Sequence, residues 1–322
     1  STKRNDMQQL FRTTTAYRAL AEGARTGEAH FTLVLFPDAV YLRAFLKECA
    51  KAFFGAEDGS RTARLIDEES YSDCLIYPSA GGKLSADLAG EISDESLLRP
   101  VEGTKKLFVL DAFQTVTPLV QNKLLKLLEE PPEGVFFLAG ATAEHTVLPT
   151  VLSRANVRRV EPFSEQAIAG ALRRMHAASP GTDAAAAACG GILSVAEQLL
   201  AGGGEDFRLA ERFLAGEDRI ALCRTAGERG KPFFAAVRLV LRDVMFCAAG
   251  QRQYLVLPEK EIAPLAERYG AGAAVHALRY AADAERELQF NANPAQAALT
   301  LALRIEGARG ADPSYPSGKR PT

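Results

Sequence analysis

The stretch "LRPVEGTKKLFVLDAFQTVTPLVQNKLLKLLEEPPEGVFFLAG", Leu98–Gly140, reads as a strand, a turn, a helix, a stop and a second strand. "KLFVLD" (Lys106–Asp111) and "GVFFLAG" (Gly134–Gly140) are continuous apolar runs, the pattern of strands covered on both faces. Between them, Thr117 stands at an N-cap position and Pro118 in the first helical turn, and Pro131-Pro132 stops a helix over Pro118–Glu130. Val120, Leu124, Leu127 and Leu128 recur at helical spacing and form its apolar stripe.

Outward from this unit, the pattern repeats. "FTLVLF" (Phe31–Phe36), "CLIY" (Cys74–Tyr77) and "VRRV" (Val157–Val160) supply further strands. Helical periodicity covers Met7–Ala24, with Leu10, Phe11, Tyr17 and Leu20 on one face, and Asp38–Phe54. Strands alternating with helices predict an α/β fold with a mostly parallel, doubly wound sheet. Past Pro162 the strand signals stop. Ser164–Ala178, Asp183–Cys189 and Ile192–Ala201 read as three short helices, and "AGGGED" (Ala201–Asp206) as a linker. From Phe207 to about Gly307 the pattern is helical, with apolar stripes in "FFAAVRLVLRDVMFCAA" and "PAQAALTLALRI". The expected organisation is an α/β domain over 1–161, a small helical domain over 162–204, and a C-terminal helical domain over 205–307. A Pro-, Gly- and Ser-rich tail over 308–322 is expected to be disordered.

With 322 residues and 47% hydrophobic content, the chain can fill two or three cores. A net charge of −2 gives no whole-chain excess marking a dedicated nucleic-acid binder, although a local patch stays open. The five cysteines form no C-x-x-C pair, which argues against a zinc module or a secreted disulfide framework and fits a reducing cytosol. No apolar run approaches the roughly 18–20 residues that span a bilayer. "STKRNDMQQL" is too polar for a signal peptide, so a cytoplasmic protein is expected.

A strand ending in an acid before a helix is the layout of nucleotide-hydrolysing machines, where that acid holds magnesium. Here Asp111 is followed by Ala112 and Phe113, where a second carboxylate would activate water. A lone Asp at such a strand end reads as a turn or cap residue. A phosphate-binding loop, G-x-x-x-x-G-K-[ST], would follow the first strand. The equivalent segment, "LFPDAVYLRAF" (Leu35–Phe45), has no glycine and no lysine, and Asp38 adds like charge against phosphates. Its one cation, Arg43, reads as a solvated helix residue. Nucleotide binding in the usual mode is not expected, nor any cofactor or metal. The four histidines show no metal spacing. "TVLSRANV" (Thr150–Val157) places Ser153 and Arg154 just before the last strand. From the residues alone, Arg154 is either a surface ion-pairing arginine or an arginine finger reaching a neighbouring subunit's nucleotide.

These residues resemble a family. Asn122–Pro132 (N-K-L-L-K-L-L-E-E-P-P), Leu148-Pro149-Thr150 and Ser153-Arg154-Ala155 are similar to the acidic-box helix, L-P-x-T turn and Ser-Arg-Cys motif of bacterial clamp-loader AAA+ subunits. The likeness is dense over about Leu98–Arg154. Weaker echoes lie in "CGGILSVAEQLL" (Cys189–Leu200), with Ser194 where members carry a nucleotide-sensing arginine, and in "ELQFNANPAQAALTLALRI" (Glu287–Ile305), similar to the last collar helix. The resemblance implies a degenerate AAA+ (RecA-like) domain, a helical lid and a C-terminal collar. Motor subunits keep the phosphate loop, the paired acidic box and usually a zinc module. The chain looks like the family's non-hydrolysing stator branch, the delta-prime subunits of DNA polymerase III, with Ala155 replacing the motif's cysteine. The implied partners are motor ATPase and delta-like subunits, met through the collar, with the sliding clamp and primed DNA engaged indirectly. Arg154, with Ser153, would act in trans on a motor's nucleotide. The apolar stripes Leu239–Cys247 and Pro294–Ile305 would be buried in the collar. Two alternatives stay open: an AAA+ ATPase with an atypical phosphate loop, and an AAA+ scaffold repurposed outside replication.

Overall fold

A computed structural model describes residues 2–26, 29–176, 179–290 and 292–311. Its contacts divide the chain into two units, Ser1–Pro162 and Phe163–Thr322.

In the first unit, helices α1 (Thr2–Arg12) and α2 (Thr15–Thr26) precede β1 (Phe31–Leu35) and α3 (Leu42–Phe53). Then come α4 (Arg61–Asp67), β2 (Cys74–Tyr77), α5 (Ala86–Ser96), β3 (Lys106–Leu110) and α6 (Pro118–Glu129). β4 (Val135–Ala141), α7 (Pro149–Leu152) and β5 (Asn156–Arg159) complete it. The five strands form one parallel sheet in the order β2-β3-β4-β1-β5. Every residue of β1 and β3 is buried, as their unbroken apolar runs require of central strands.

Helices cover both faces. On one, Leu33, Phe108, Leu110 and Phe137 pack with Ile92 of α5, Val120, Leu124 and Leu128 of α6, and Val151 of α7. On the other, α3 lies directly on β4. A Cβ at Gly140 would come within 2.7 Å of Leu46 and 2.8 Å of Leu42, so only glycine allows that approach. Helices α1 and α2 pack on α3, where buried Glu48 accepts hydrogen bonds from Arg12 and Lys51.

The expected single helix over Met7–Ala24 is two. Thr13 and Thr14 turn their hydroxyls back onto the Leu10 and Phe11 carbonyls, and Thr14 Oγ1 accepts the Tyr17 N–H. The helix expected from Asp38 begins at Leu42, after a turn closed by Tyr41 N–H donating to the Asp38 carbonyl. Helices α4 and α5 were not expected.

The second unit is helical. It contains α8 (Glu165–His176), α9 (Thr182–Ala188), α10 (Leu193–Ala201), α11 (Glu205–Ala215) and α12 (Arg219–Arg229). The last three are α13 (Lys231–Ala248), α14 (Glu259–Gln289, broken at Gly270) and α15 (Pro294–Ala311). α13 is its centre, packed by α9, α10, α11 and α14. Phe233, Phe234, Leu239, Val240, Leu241 and Val244 on α13 are all buried within this chain. The α13 stripe expected to serve the collar is thus covered by the chain's own helices as far as Val244, with Phe246 and Cys247 half-buried. α15 continues through Ala311, past the expected start of the tail at 308; the rest of that tail, 312–322, lies outside the described residues.

Candidate functional site

In open α/β sheets, ligands bind beyond the carboxyl ends of the strands where the strand order reverses. Here that point is the end of β1, flanked by β4 and β5. The turn from Phe36 to Tyr41 has no residue with positive φ, so no left-handed step folds its amides into a phosphate cradle. Aromatic rings pack beside the turn. Phe36 stacks on Phe45 of α3 at 4.7 Å, and Phe11 of α1 meets both edge-on at 5.7 and 5.4 Å. Asp38 is buried, and its Oδ1 accepts the Val40 N–H.

The acid at the end of β3 is engaged on both oxygens. Asp111 Oδ1 accepts the N–H of Ala112 at 2.7 Å, and Oδ2 accepts from Arg43 Nη1 at 2.9 Å. The expected solvated Arg43 is corrected here: its side chain is only 17% exposed. Arg43 also donates to both carboxylate oxygens of Glu69 and to the Pro78 carbonyl. Glu69 takes a second cation, Lys47, at 2.6 Å. The hydrogen bond from Arg43 and the ion pair with Lys47 hold the Glu69 carboxyl down at about 2. The residues that would hold a magnesium nucleotide do not fit one: the turn offers no amide cradle, and the acid is taken by a guanidinium. Phe113, two residues after Asp111, is fully buried in the sheet's core.

Ser153 and Arg154 lie on an exposed turn between α7 and β5. Arg154 Nε donates to Glu129 Oε2 at 2.9 Å, and Nη1 to the Thr150 carbonyl at 2.9 Å and Ser153 Oγ at 3.4 Å. Nη2 makes none of these bonds, so its two N–H groups are the ones left to reach outward. The segment leading into α7 is held from beneath. Gln121 of α6, buried, donates to the Val116 and Thr146 carbonyls and accepts the Leu148 N–H. Helix α6 therefore holds α7 on both sides, the segment before it through Gln121 and the Arg154 turn after it through Glu129.

Residues 13–164 match the family described as DNA polymerase III, delta subunit. The chain is 37% identical over 82 residues to the gamma/tau subunit of DNA polymerase III from Mycobacterium tuberculosis H37Rv, covering 26% of this chain and 14% of that one. It is 25% identical over 125 residues to the delta' subunit from Bacillus subtilis, covering 37% and 38%. Over residues 13–164, this chain is similar to clamp-loader subunits of DNA polymerase III. It matches well under two thirds of the length of either curated relative. A gamma subunit-related protein from Thermotoga maritima superposes with a TM-score of 0.43 at 18% identity, covering 91% of this chain and 99% of that one.

Within this chain, the structure brings Asp111 and Arg43 together and puts Arg154 elsewhere, on its own turn. Ser194, in the position of the sensing arginine, is buried on α10. Three partners escaped the sequence reading. Glu129 lies inside the quoted motif, so its pairing with Arg154 was available in principle from the two motifs occurring together. Gln121, a polar residue beside the apolar stripe of α6, was a visible irregularity. Glu69, in a run of acidic and polar residues, carried no signal at all.

Proposed function

We propose that this chain is the delta-prime-like stator of a DNA polymerase III clamp loader. It hydrolyses nothing itself and lends Arg154, steadied by Ser153, to the nucleotide of an adjacent motor subunit. The observation that carries this reading is an asymmetry. The chain's own strand-end acid is neutralised internally, whereas Arg154 stands on an exposed turn with two donors to spare. The partners are the motor and delta-like subunits, with residues 162–204 as lid and 205–307 as collar; the clamp and primed DNA are met indirectly, in the cytoplasm. The collar's outer face offers a contact. α12 and α15 run antiparallel, with Arg219 paired to Glu306, which puts exposed Ile220 at the same end as exposed Leu303, one turn from Leu299.

The test is steady-state ATPase of the reconstituted loader with DNA and clamp. Arg154→Ala is expected to leave the complex assembled and to lower turnover, since loss of a trans arginine finger costs about 10³-fold at the affected site and less in a ring with other sites intact. Arg154→Lys rescues little, because an ammonium lacks the planar donor set. Unchanged turnover in Arg154→Ala would reduce this residue to a surface arginine. Micromolar binding of Mg-ATP to the isolated chain by calorimetry would instead return it to the ATPases.

A further inference from the structure

We propose that Arg43 is a built-in replacement for the divalent cation at the end of β3, and that it locks this module in one conformation whether or not nucleotide is present. In a hydrolysing relative, the metal and its nucleotide join the helix after β1 to the acid after β3, and that bridge forms and breaks with each turnover. Here a side chain of α3 makes the join. The Arg43 guanidinium reaches Asp111 beyond β3, the carbonyl of Pro78 beyond β2, and Glu69 on the turn that leads from α4 toward β2. Four hydrogen bonds to three separate segments use four of the five donors of the planar fork.

The charges also close. Arg43 and Lys47 face Asp111 and Glu69, two positive against two negative, so no net charge remains for a metal ion to neutralise. Magnesium requires near-ideal octahedral oxygen geometry and retains several waters. The Asp111 oxygen it would need is already bound, and a guanidinium does not lose its charge at any physiological pH. Unlike a bound cofactor, the bridge cannot dissociate.

The inference rests on the non-hydrolysing reading. Calorimetry with Mg-ATP tests that reading separately, because it does not depend on how an Arg43 variant responds to a bare metal ion. The experiment is thermal unfolding of the whole chain in EDTA, in MnCl2, and in NaCl of matched ionic strength. The wild type is expected to unfold at the same temperature in MnCl2 as in the matched NaCl. Arg43→Ala, which leaves two half-buried carboxylates with one cation, should lose on the order of 5 °C. It should regain part of that with Mn²⁺ and not with NaCl, and Asp111→Asn added to it should abolish the gain. Arg43→Gln, which keeps amide donors near the same acids, is expected to show the same Mn²⁺-specific gain and carries the comparison if the alanine variant does not fold. Stabilisation of the wild type by Mn²⁺ overturns the proposal, as does a folded Arg43 variant indifferent to Mn²⁺.

Discussion

Ala112 takes a left-handed backbone conformation (φ 50°, ψ 40°) directly after Asp111, where a side chain costs about 1–2 kcal/mol. The bend turns its N–H back onto Asp111 Oδ1 and starts the short 3₁₀ turn over Phe113–Thr115. Ala112→Gly relieves that strain but adds freedom to the unfolded chain, for a net gain of roughly 0–1 kcal/mol, whereas Ala112→Val should cost more than 1 kcal/mol. Urea unfolding ranks the three; valine as stable as alanine would remove the strain argument. Glu69 makes a prediction in pH. Its carboxyl is held at about 2 in the folded chain, by Arg43 first, against an ordinary 4.5. A lowered carboxyl adds stability above its unfolded value, and loses it as pH falls toward the folded one. The stability difference between wild type and Glu69→Gln is therefore expected to be constant above about pH 5.5, to shrink below about 4.5, and to vanish near 2. A difference still undiminished at about pH 3 would contradict the pairing.

At the scale of elements, α6 holds α7 on both sides, and its two grips are unequal. Gln121→Leu strands two carbonyls and the Leu148 N–H in a buried place and should cost roughly 2–4 kcal/mol. Glu129→Gln, at an exposed pair, should cost under about 1 kcal/mol. Equal costs in denaturant unfolding would mean that Gln121 is not the main clamp. The strands and α6 were legible because each carries an unbroken apolar run or stripe between strong stop signals. Helices α4 and α5 bury only Ala63 and Ile66, and Ala89 and Ile92, among their apolar residues, too few to establish a period. Their caps, Ser60 and Ser85, were the readable trace. The break between α1 and α2 hid because the apolar spacing continues across it. For the candidate site, Arg154 was singled out by a local motif. The Arg43 cluster was not, since its acids lie 26 and 68 residues away and no spacing rule links them.

For the whole molecule, the second unit uses most of its apolar surface internally, and what remains outside is specific. Leu299 and Leu303 are 46% and 59% exposed on a helix whose opposite side is buried. Leu299→Asp with Leu303→Asp should leave the melting temperature of the isolated chain nearly unchanged, as exposed substitutions usually cost within about 0.5 kcal/mol each. Its co-elution with motor subunits should fall. Full co-elution would place the assembly surface elsewhere. The strand order has a consequence for how the molecule is made. β1 pairs only with β4 and β5, and Phe31 meets Phe137 across 106 intervening steps of chain. At a synthesis rate of about 5–20 residues per second, roughly 5–20 s separate the appearance of these partners on the ribosome. Through that interval "FTLVL" has both hydrogen-bonding edges open, a template for pairing with other chains until its own partners emerge.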